Sequence, residues 1–521
     1  MITAIELENF KGFGARQRIE LGPLTLLFGA NSAGKSSVLQ ALGYVRELLE
    51  HGDPNVDQTE IGGATAPLGG FGRLIHNHNN NATMRIRVEF DVPSSLNVRD
   101  IDLEGFAFPD LDDTVSKGWI EFHIACPLSD RNSTASLVTV AYGLEGDDRP
   151  IVVLRQPSMA AGGPIEARVE FTHSCLSNGE RNLFEWQEYA KASVSEDDRW
   201  PFDPDSTAVY LAKRHFWGTS MMALSAGPVR LLPASGNSDE EFEDELEIAI
   251  KHDVETLLEL IVSGLSHRLH ALLSNVLHIG ALRSIPSRGY LFEHATRAGS
   301  WGDGLAAWDA LLADRGLLIE GTNEWLKKLS PRSPSTSSSL SIEIIAYLNP
   351  EAESGARAAG NIEAGSRRLV LRTNYGSSVL PSEVGAGISQ VVPVIVAAVR
   401  CLSPRREHRP TMLFVEQPEL HLHPAMQTGL GDLLRQASSN SQVIVETHSE
   451  HLILRLLRRI RDTAEGDALD DQQMSPDQLT VLHISNDEGQ CVVRRFHVDR
   501  NGDFDQPWPN GFFEERTAEV F

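Results

Sequence analysis

The hydrophobic period of the chain changes several times, and each change marks an element. Leu24-Thr25-Leu26-Leu27-Phe28 is a short β-rich apolar run; beyond a glycine-rich gap, Val38, Leu39 and Leu42 recur at helical spacing. This predicts strand, loop and a helix starting near Ser36. Two strands are predicted ahead of it, over residues 2–7 and 18–21. From about residue 84 to 172 short runs alternate apolar and polar positions, as in 84–90 and 119–124, divided by Pro, Gly, Asn and Asp. They read as a β-rich lobe.

Further along, Ser238 and Glu241 form a capping-box pattern with an acidic first turn, Asp239-Glu240-Glu241. The apolar positions Phe242, Leu246, Ala249, Leu257, Leu260 and Ile261 predict a long helical region running to about Leu277, a helical insertion between two halves of an α/β unit. Residues 330–339 and 350–366 are rich in Pro, Ser, Ala and Gly and read as loops. Buried-type strands are expected at 411–415 and 442–445, with helices from Pro424 and after Ser449; Gly385-Ala386-Gly387-Ile388-Ser389-Gln390 precedes an apolar helical run over 391–399. No repeat of fixed period is visible.

The 521 residues, 41% hydrophobic and 23% charged, suit a soluble protein of two or three domains with a large core. The run 391–399 contains Pro393 and is too short to span a bilayer, and residues 1–6 lack the regions of a signal peptide, so a cytoplasmic protein is expected. Cys126, Cys175, Cys401 and Cys491 are scattered, indicating neither a disulfide framework nor a cysteine zinc site. A net charge of −26 opposes a broad nucleic-acid-coating surface. Any DNA contact must be local, and Arg455, Arg458, Arg459 and Arg461 on one helix are the candidates; their alternative is a solvated helix face.

Candidate chemistry begins at Gly29-Ala30-Asn31-Ser32-Ala33-Gly34-Lys35-Ser36, which fits G-x-x-x-x-G-K-[ST] between a strand and a helix. The N–H groups of Asn31, Ser32, Ala33 and Gly34, the helix N-terminus and the Lys35 ammonium make a site for polyphosphate, hence a nucleoside triphosphate. Lys35 is expected at the β- and γ-phosphates, the Ser36 hydroxyl on Mg²⁺ and Ser37 near the α-phosphate. Glu416, ending one buried strand, is the metal-side carboxylate, followed by Gln417 and Glu419. His448, ending the next strand, can reach the γ-phosphate or its attacking water. Gly387, Ser389 and Gln390 at a fresh helix start offer a second anion cradle, which suggests two chains completing each other's sites. No third ligand is identifiable near His421 and His423, so they are expected to form no metal site. Ser32, Ser36 and Ser37 lie in no nucleophile-elbow context. Trp508, with Phe512 and Phe513, reads as a C-terminal segment docking into its own core.

Together these residues resemble the ABC-clan AAA-type ATPases that include SMC, RecF and the OLD proteins. Ile5-Glu6-Leu7-Glu8-Asn9-Phe10-Lys11-Gly12-Phe13 is similar to their N-terminal strand and turn, Glu416-Gln417-Pro418-Glu419-Leu420-His421-Leu422-His423-Pro424 to an OLD-type Walker B and D-loop, residues 384–390 to the signature loop, and Glu446-Thr447-His448-Ser449 to the switch histidine. Ile279-Gly280-Ala281-Leu282-Arg283, with Pro286, Arg288 and Tyr290, resembles an OLD-type internal motif whose role the sequence does not supply. The resemblance implies an α/β fold, a P-loop ABC-type ATPase head with a mixed sheet and β-rich lobe, plus the helical insertion. It divides the chain into 1–95 (Walker A), 96–235 (β-rich lobe and insertion), 236–330 (helical insertion), 331–465 (signature, Walker B and switch histidine) and 466–521 (C-terminal extension).

It further implies ATP and Mg²⁺ held between Lys35 and Ser36 of one subunit and Gly387 and Ser389 of another, in a homodimer or higher oligomer. Two departures stand out. The position after the Walker B carboxylate is usually Glu, the general base, but here is Gln417, which accepts no proton; hydrolysis is expected to be slow, or Glu419 or His448 to substitute. Only residues 450–521 follow His448, too few for the Toprim nuclease of OLD proteins, so any cutting is assigned to a partner nuclease in anti-phage defence. A RecF-like DNA clamp and a non-hydrolysing ATP-bound scaffold are the alternatives. The glutamine that senses the γ-phosphate in such families has a candidate in Gln58, unless residues 68–73 occupy that loop.

Overall fold

The computed structural model describes residues 1–30, 33–59, 66–92, 116–126, 135–145, 148–155, 166–169, 259–287, 301–314, 316–329, 341–347, 366–372, 376–405 and 409–508. The expected helix start at Ser238 and Glu241, Cys175, Asn31, Ser32, Arg288, Tyr290, Phe512, Phe513 and the loop at 330–339 lie outside them.

Strands numbered in chain order form two large sheets. The first comprises β1 (Ile2–Glu8), β2 (Gln17–Glu20), β6 (Met84–Asp91), β7 (Lys117–Ala125), β8 (Ser136–Leu144), β9 (Val152–Arg155) and β10 (Glu166–Val169), all antiparallel, in the order β10-β9-β8-β7-β6-β1-β2. Period-2 alternation puts Ile5 and Leu7 of β1 and Ile86 and Val88 of β6 into the core. On the other face the register sets Arg18, Glu6, Arg87 and Glu121 side by side, so neighbouring charges alternate in sign. The β-rich lobe is thus in place.

The second sheet holds β3 (Leu24–Phe28), β11 (Val276–Ile279), β15 (Met412–Glu416), β16 (Gln442–Glu446), β17 (Leu479–Asp487) and β18 (Gln490–Phe496), in the order β11-β15-β16-β3-β17-β18. All pairs are parallel except β17 with β18. Smaller ladders join β4 (Gln58–Thr59) to β5 (Ala66–Pro67), and β12 (Ser341–Tyr347), β13 (Ser366–Arg372) and β14 (Ser378–Val379). The parallel sheet is covered on both faces, which is why its strands read as continuous apolar runs. Leu27, Met412, Phe414 and Ile444 face the core shared with the antiparallel sheet, α1 (Lys35–His51), α2 (Phe71–Leu74) and α3 (Leu265–Ser274). Leu26, Phe28, Leu413, Val415, Val443 and Val445 face a second core roofed by α4 (Leu305–Ala313), α5 (Leu317–Leu329), α6 (Ala386–Cys401), α7 (Pro424–Ala437) and α8 (Glu450–Glu465).

Two sequence expectations are corrected here. Helix does not continue to Leu277: α3 ends at Ser274, and 276–279 forms β11, paired in parallel with β15. The segment expected as a helical insertion thereby supplies a strand of the parallel sheet, while α4 and α5 belong to its second core. The run Val276-Leu277-His278-Ile279 is too short for its period to separate strand from helix, and the parallel neighbour decides. Residues 386–390 are likewise the first turn of α6 rather than a loop before it.

Candidate phosphate and cation site

Because β3, β11, β15 and β16 run parallel, their C-terminal ends share one edge, the edge where α/β sheets bind ligands. Beyond β3, Gly29 adopts φ 143°, and a Cβ there would lie 2.0 Å from the Ile484 carbonyl oxygen; only glycine fits. Gly34, at φ 103°, precedes α1, whose N-terminus has no capping side chain. Its N–H groups and dipole thus face the loop, as a phosphate cradle requires. The Cys491 thiol packs beneath, donating to the Ala33 carbonyl at 3.0 Å.

The Lys35 side chain is buried and turns back into the loop, donating to the carbonyls of Gly29 (3.0 Å) and Ala30 (2.9 Å). Its ammonium also lies 3.5 Å from Glu446 Oε1, and the Ser36 hydroxyl donates to Glu446 Oε2 at 3.0 Å. Glu446 is the last residue of β16 and sits opposite Glu416 of β15 in the parallel register. Glu416 Oε1 is 3.1 Å from His278 Nε2, a side chain delivered by β11. His278, Glu416, Glu446, Ser36 and Lys35 therefore form a line across the sheet edge. Ser37, one residue on, is buried in the first turn of α1.

The two carboxyls titrate in opposite directions. Burial pushes Glu416 up, but the hydrogen bond and charge of His278, an Ala281 backbone bond and the Arg283 charge reverse this and leave it below its ordinary value. Glu446 ends above its ordinary value: burial and the Glu416 charge outweigh Lys35 and Ser36. His448, just after β16, is pushed down by burial and by Lys35, which favours a neutral imidazole. As a donor set, the Ser36 hydroxyl with two carboxylates offers hard oxygens only, and this fits Mg²⁺.

Glu419 is placed differently from a base aimed at the loop. Its oxygens accept from the Thr447 hydroxyl (2.8 Å) and the His448 backbone N–H (2.6 Å), tying the turn after β15 to the turn after β16. Burial raises its carboxyl, and the His448 and Thr447 bonds only partly offset this. Gln417 follows Glu416 in the left-handed region at φ 41°, its N–H bonded to the Glu446 carbonyl at 2.7 Å. That conformation is costly for a side chain with a Cβ and needs support from its surroundings.

Arg283 supplies the support. Its guanidinium donates to the carbonyls of Glu416 (2.6 Å), Gln417 (3.0 Å), Gln390 (3.2 Å) and Gly280 (3.0 Å), while the Gln390 side chain donates back to the Arg283 carbonyl at 2.6 Å. Burial pushes the guanidinium down to about 10 against the opposing charges of Glu419 and Glu416. The turn after β15 and the start of α6 are thus joined through one buried side chain. Gly387 packs there too: a Cβ on it would lie 2.7 Å from the His421 carbonyl oxygen. Ser389 is fully buried and its hydroxyl donates to the Pro381 carbonyl at 2.7 Å, an internal contact rather than an outward cradle.

Sequence reasoning passed over Glu446, His278 and the function of Arg283. The signal for Glu446 was present, since a carboxylate ending a buried strand is the same pattern that singled out Glu416. Other expectations resolve more simply. Arg455 and Arg459 both clasp Asp432, Arg458 lies 3.5 Å from Asp462, and Arg461 donates to the Asn501 carbonyl; the arginine stripe is an ion-paired helix face. His423 Nδ1 caps α7 by accepting from the Ala425 N–H, and among the described residues neither His421 nor His423 joins a cluster of metal-ligating side chains. Trp508 packs edge-on at 5.2 Å against Phe28, on the strand that feeds the glycine-rich loop, and at 4.8 Å beside Phe496 of β18. Gln58 is exposed on β4. No helix among the described residues is long and apolar enough to cross a membrane.

Residues 352–455 match the family model described as "AAA domain, putative AbiEii toxin, Type IV TA system". No curated protein matches the chain. Among solved structures, an SMC head domain from Thermotoga maritima is similar at 10% identity, covering 95% of this chain and 99% of that one with a TM-score of 0.37. An SMC head bound to the C-terminal winged-helix domain of ScpA is similar at 12% identity, covering 95% and 98% with a TM-score of 0.39. The model of the AAA ATPase domain matches residues 1–274 of the 521, more than half, and the chain belongs to that family.

Proposed function

We propose that this protein is a slowly hydrolysing ATP switch whose ATP-dependent pairing with a second copy controls a partner effector. The observation that carries the reading is the Lys35–Glu446–Ser36 cluster at an uncapped helix N-terminus, with Glu416 in the next strand. Lys35 and the loop N–H groups bind the triphosphate, and Ser36 with Glu416 holds Mg²⁺, which polarises the γ-phosphate when bound. His448, two residues beyond the Glu446 end of β16, serves as the γ-phosphate contact. Gln417 orients water without taking its proton, which makes turnover slow.

Ser389 and Gln390 at the start of α6 are buried as the chain stands, and a shift of that turn would present them, with Gly387, to the second copy's nucleotide; Arg283 couples the turn to Gln417. Ser389 reaches a phosphate only by leaving Pro381, so closure includes a shift in this first turn. The match of residues 352–455 to the AAA domain of a putative AbiEii toxin supports a defence setting, with the effector, a nuclease in this reading, in another chain. The cytoplasm is the setting that fits such a switch. The test is the mass of the purified full chain by light scattering, with and without Mg²⁺-ATP. A doubling or larger rise that Lys35→Ala abolishes is the expected result; a mass indifferent to nucleotide in a protein that binds ATP refutes the pairing.

A further inference from the structure

Glu446 stands where a phosphate and its counter-cation would compete. Its two oxygens meet the two functional groups of the loop, the Ser36 hydroxyl at 3.0 Å and the Lys35 ammonium at 3.5 Å. Glu416 occupies the facing register position on the adjacent strand, where strands lie about 4.8 Å apart. The Glu416 carboxylate is held on its far side by His278, so Glu446 is the carboxylate nearer the loop. An anion approaching Lys35 alone meets the like charge of Glu446 and must displace it from both partners. Accompanied by a divalent cation, the same anion meets a complete set of hard oxygen donors.

We propose that Glu446 is the second carboxylate of the cation site, so that the loop accepts the Mg²⁺ complex of the nucleotide and repels metal-free ATP. The inference rests on the ATP-binding reading above and adds a cation requirement located in one side chain. It differs from a role as internal counter-ion to Lys35: a counter-ion opposes every anion, with or without metal, whereas a cation ligand opposes the bare anion and favours the complex.

The experiment measures binding of a methylanthraniloyl-ATP probe to the purified full chain, wild type and Glu446→Gln, in EDTA and in Mg²⁺. In the wild type Mg²⁺ tightens binding at least about tenfold. Glu446→Gln binds the metal-free probe about three- to tenfold more tightly and the Mg²⁺ complex more weakly, so the dependence on Mg²⁺ collapses. Tighter binding of both forms overturns the cation role and leaves a counter-ion; an unchanged ratio overturns it outright. Wild-type protein that binds the probe in neither condition refutes the ATP-binding reading instead. Should Glu446→Gln fail to fold, Glu446→Asp keeps the charge but withdraws it by one methylene. It is expected to weaken only the Mg²⁺ complex, and an unchanged Mg²⁺ affinity in that variant contradicts the inference.

Discussion

Ser36 and Ser389 each lie in the first turn of a helix, two residues after a glycine, yet the fold treats them oppositely. Ser36 is half-buried and turned to the carboxylate of Glu446 on a neighbouring strand, with Lys35 alongside. Ser389 is sealed in the core and satisfied by Pro381 of its own segment. The first region is a concentration of charge that gains from an incoming polyphosphate and cation; the second is already closed on itself. A helix N-terminus is therefore not a site by itself. What separates the two is whether strand-end charges converge on it, as Glu446 does on Ser36 and Lys35 at the C-terminal edge of the parallel sheet.

The largest effect that tests this contrast comes from Lys35→Ala. With the ammonium gone, a triphosphate faces Glu446 unopposed, and ATP affinity is expected to fall at least about 100-fold, read by probe titration. Glu419→Ala comes next. It strands the Thr447 hydroxyl and the His448 N–H in a buried turn, and is expected to cost about 2 kcal/mol in denaturant unfolding, with loss of turnover in whatever remains folded. A change below about 0.5 kcal/mol would show that the two turns are not held together by this carboxylate.

Ser389→Ala sharpens the comparison, because it separates an internal bond from a surface role. Loss of the Pro381 bond costs about 1 kcal/mol of stability with ATP affinity unchanged. If the α6 surface engages a second copy, ATP-dependent mass increase is also lost. The smallest effect lies away from both regions. Glu50 of α1 joins Arg46 and His270 of α3; burial alone would raise its carboxyl, but these partners hold it at about 2 against an ordinary 4.5. A depressed carboxyl stabilises the fold above its unfolded value and loses that contribution as pH falls. About 1 kcal/mol, after solvent screening, should therefore disappear between roughly pH 4.5 and 2, and Glu50→Gln should flatten that part of the stability profile.

Much of this was legible where a polar residue ends an apolar run. β3 and the start of α1 follow from Leu24–Phe28 and the loop glycines, and Ser449 caps α8 as its position suggests, accepting from the Leu452 N–H. Glu416 was legible for the same reason. Arg283 was not, because its meaning lies in the carbonyls of Gln390, Glu416 and Gln417, all more than 100 residues away along the chain, which no local period encodes. Gly387 misled in a different way: its glycine reads as loop freedom, whereas the structure uses it for close approach of α6 to His421.

The account's central claim is that this site turns ATP over slowly because Gln417 stands where a base would act. Steady-state ATP hydrolysis by purified wild type, Gln417→Glu and Lys35→Ala addresses it directly. A slow wild-type rate, raised at least about tenfold by Gln417→Glu and abolished by Lys35→Ala, is the predicted result. Fast wild-type turnover that Gln417→Glu leaves unchanged would contradict it.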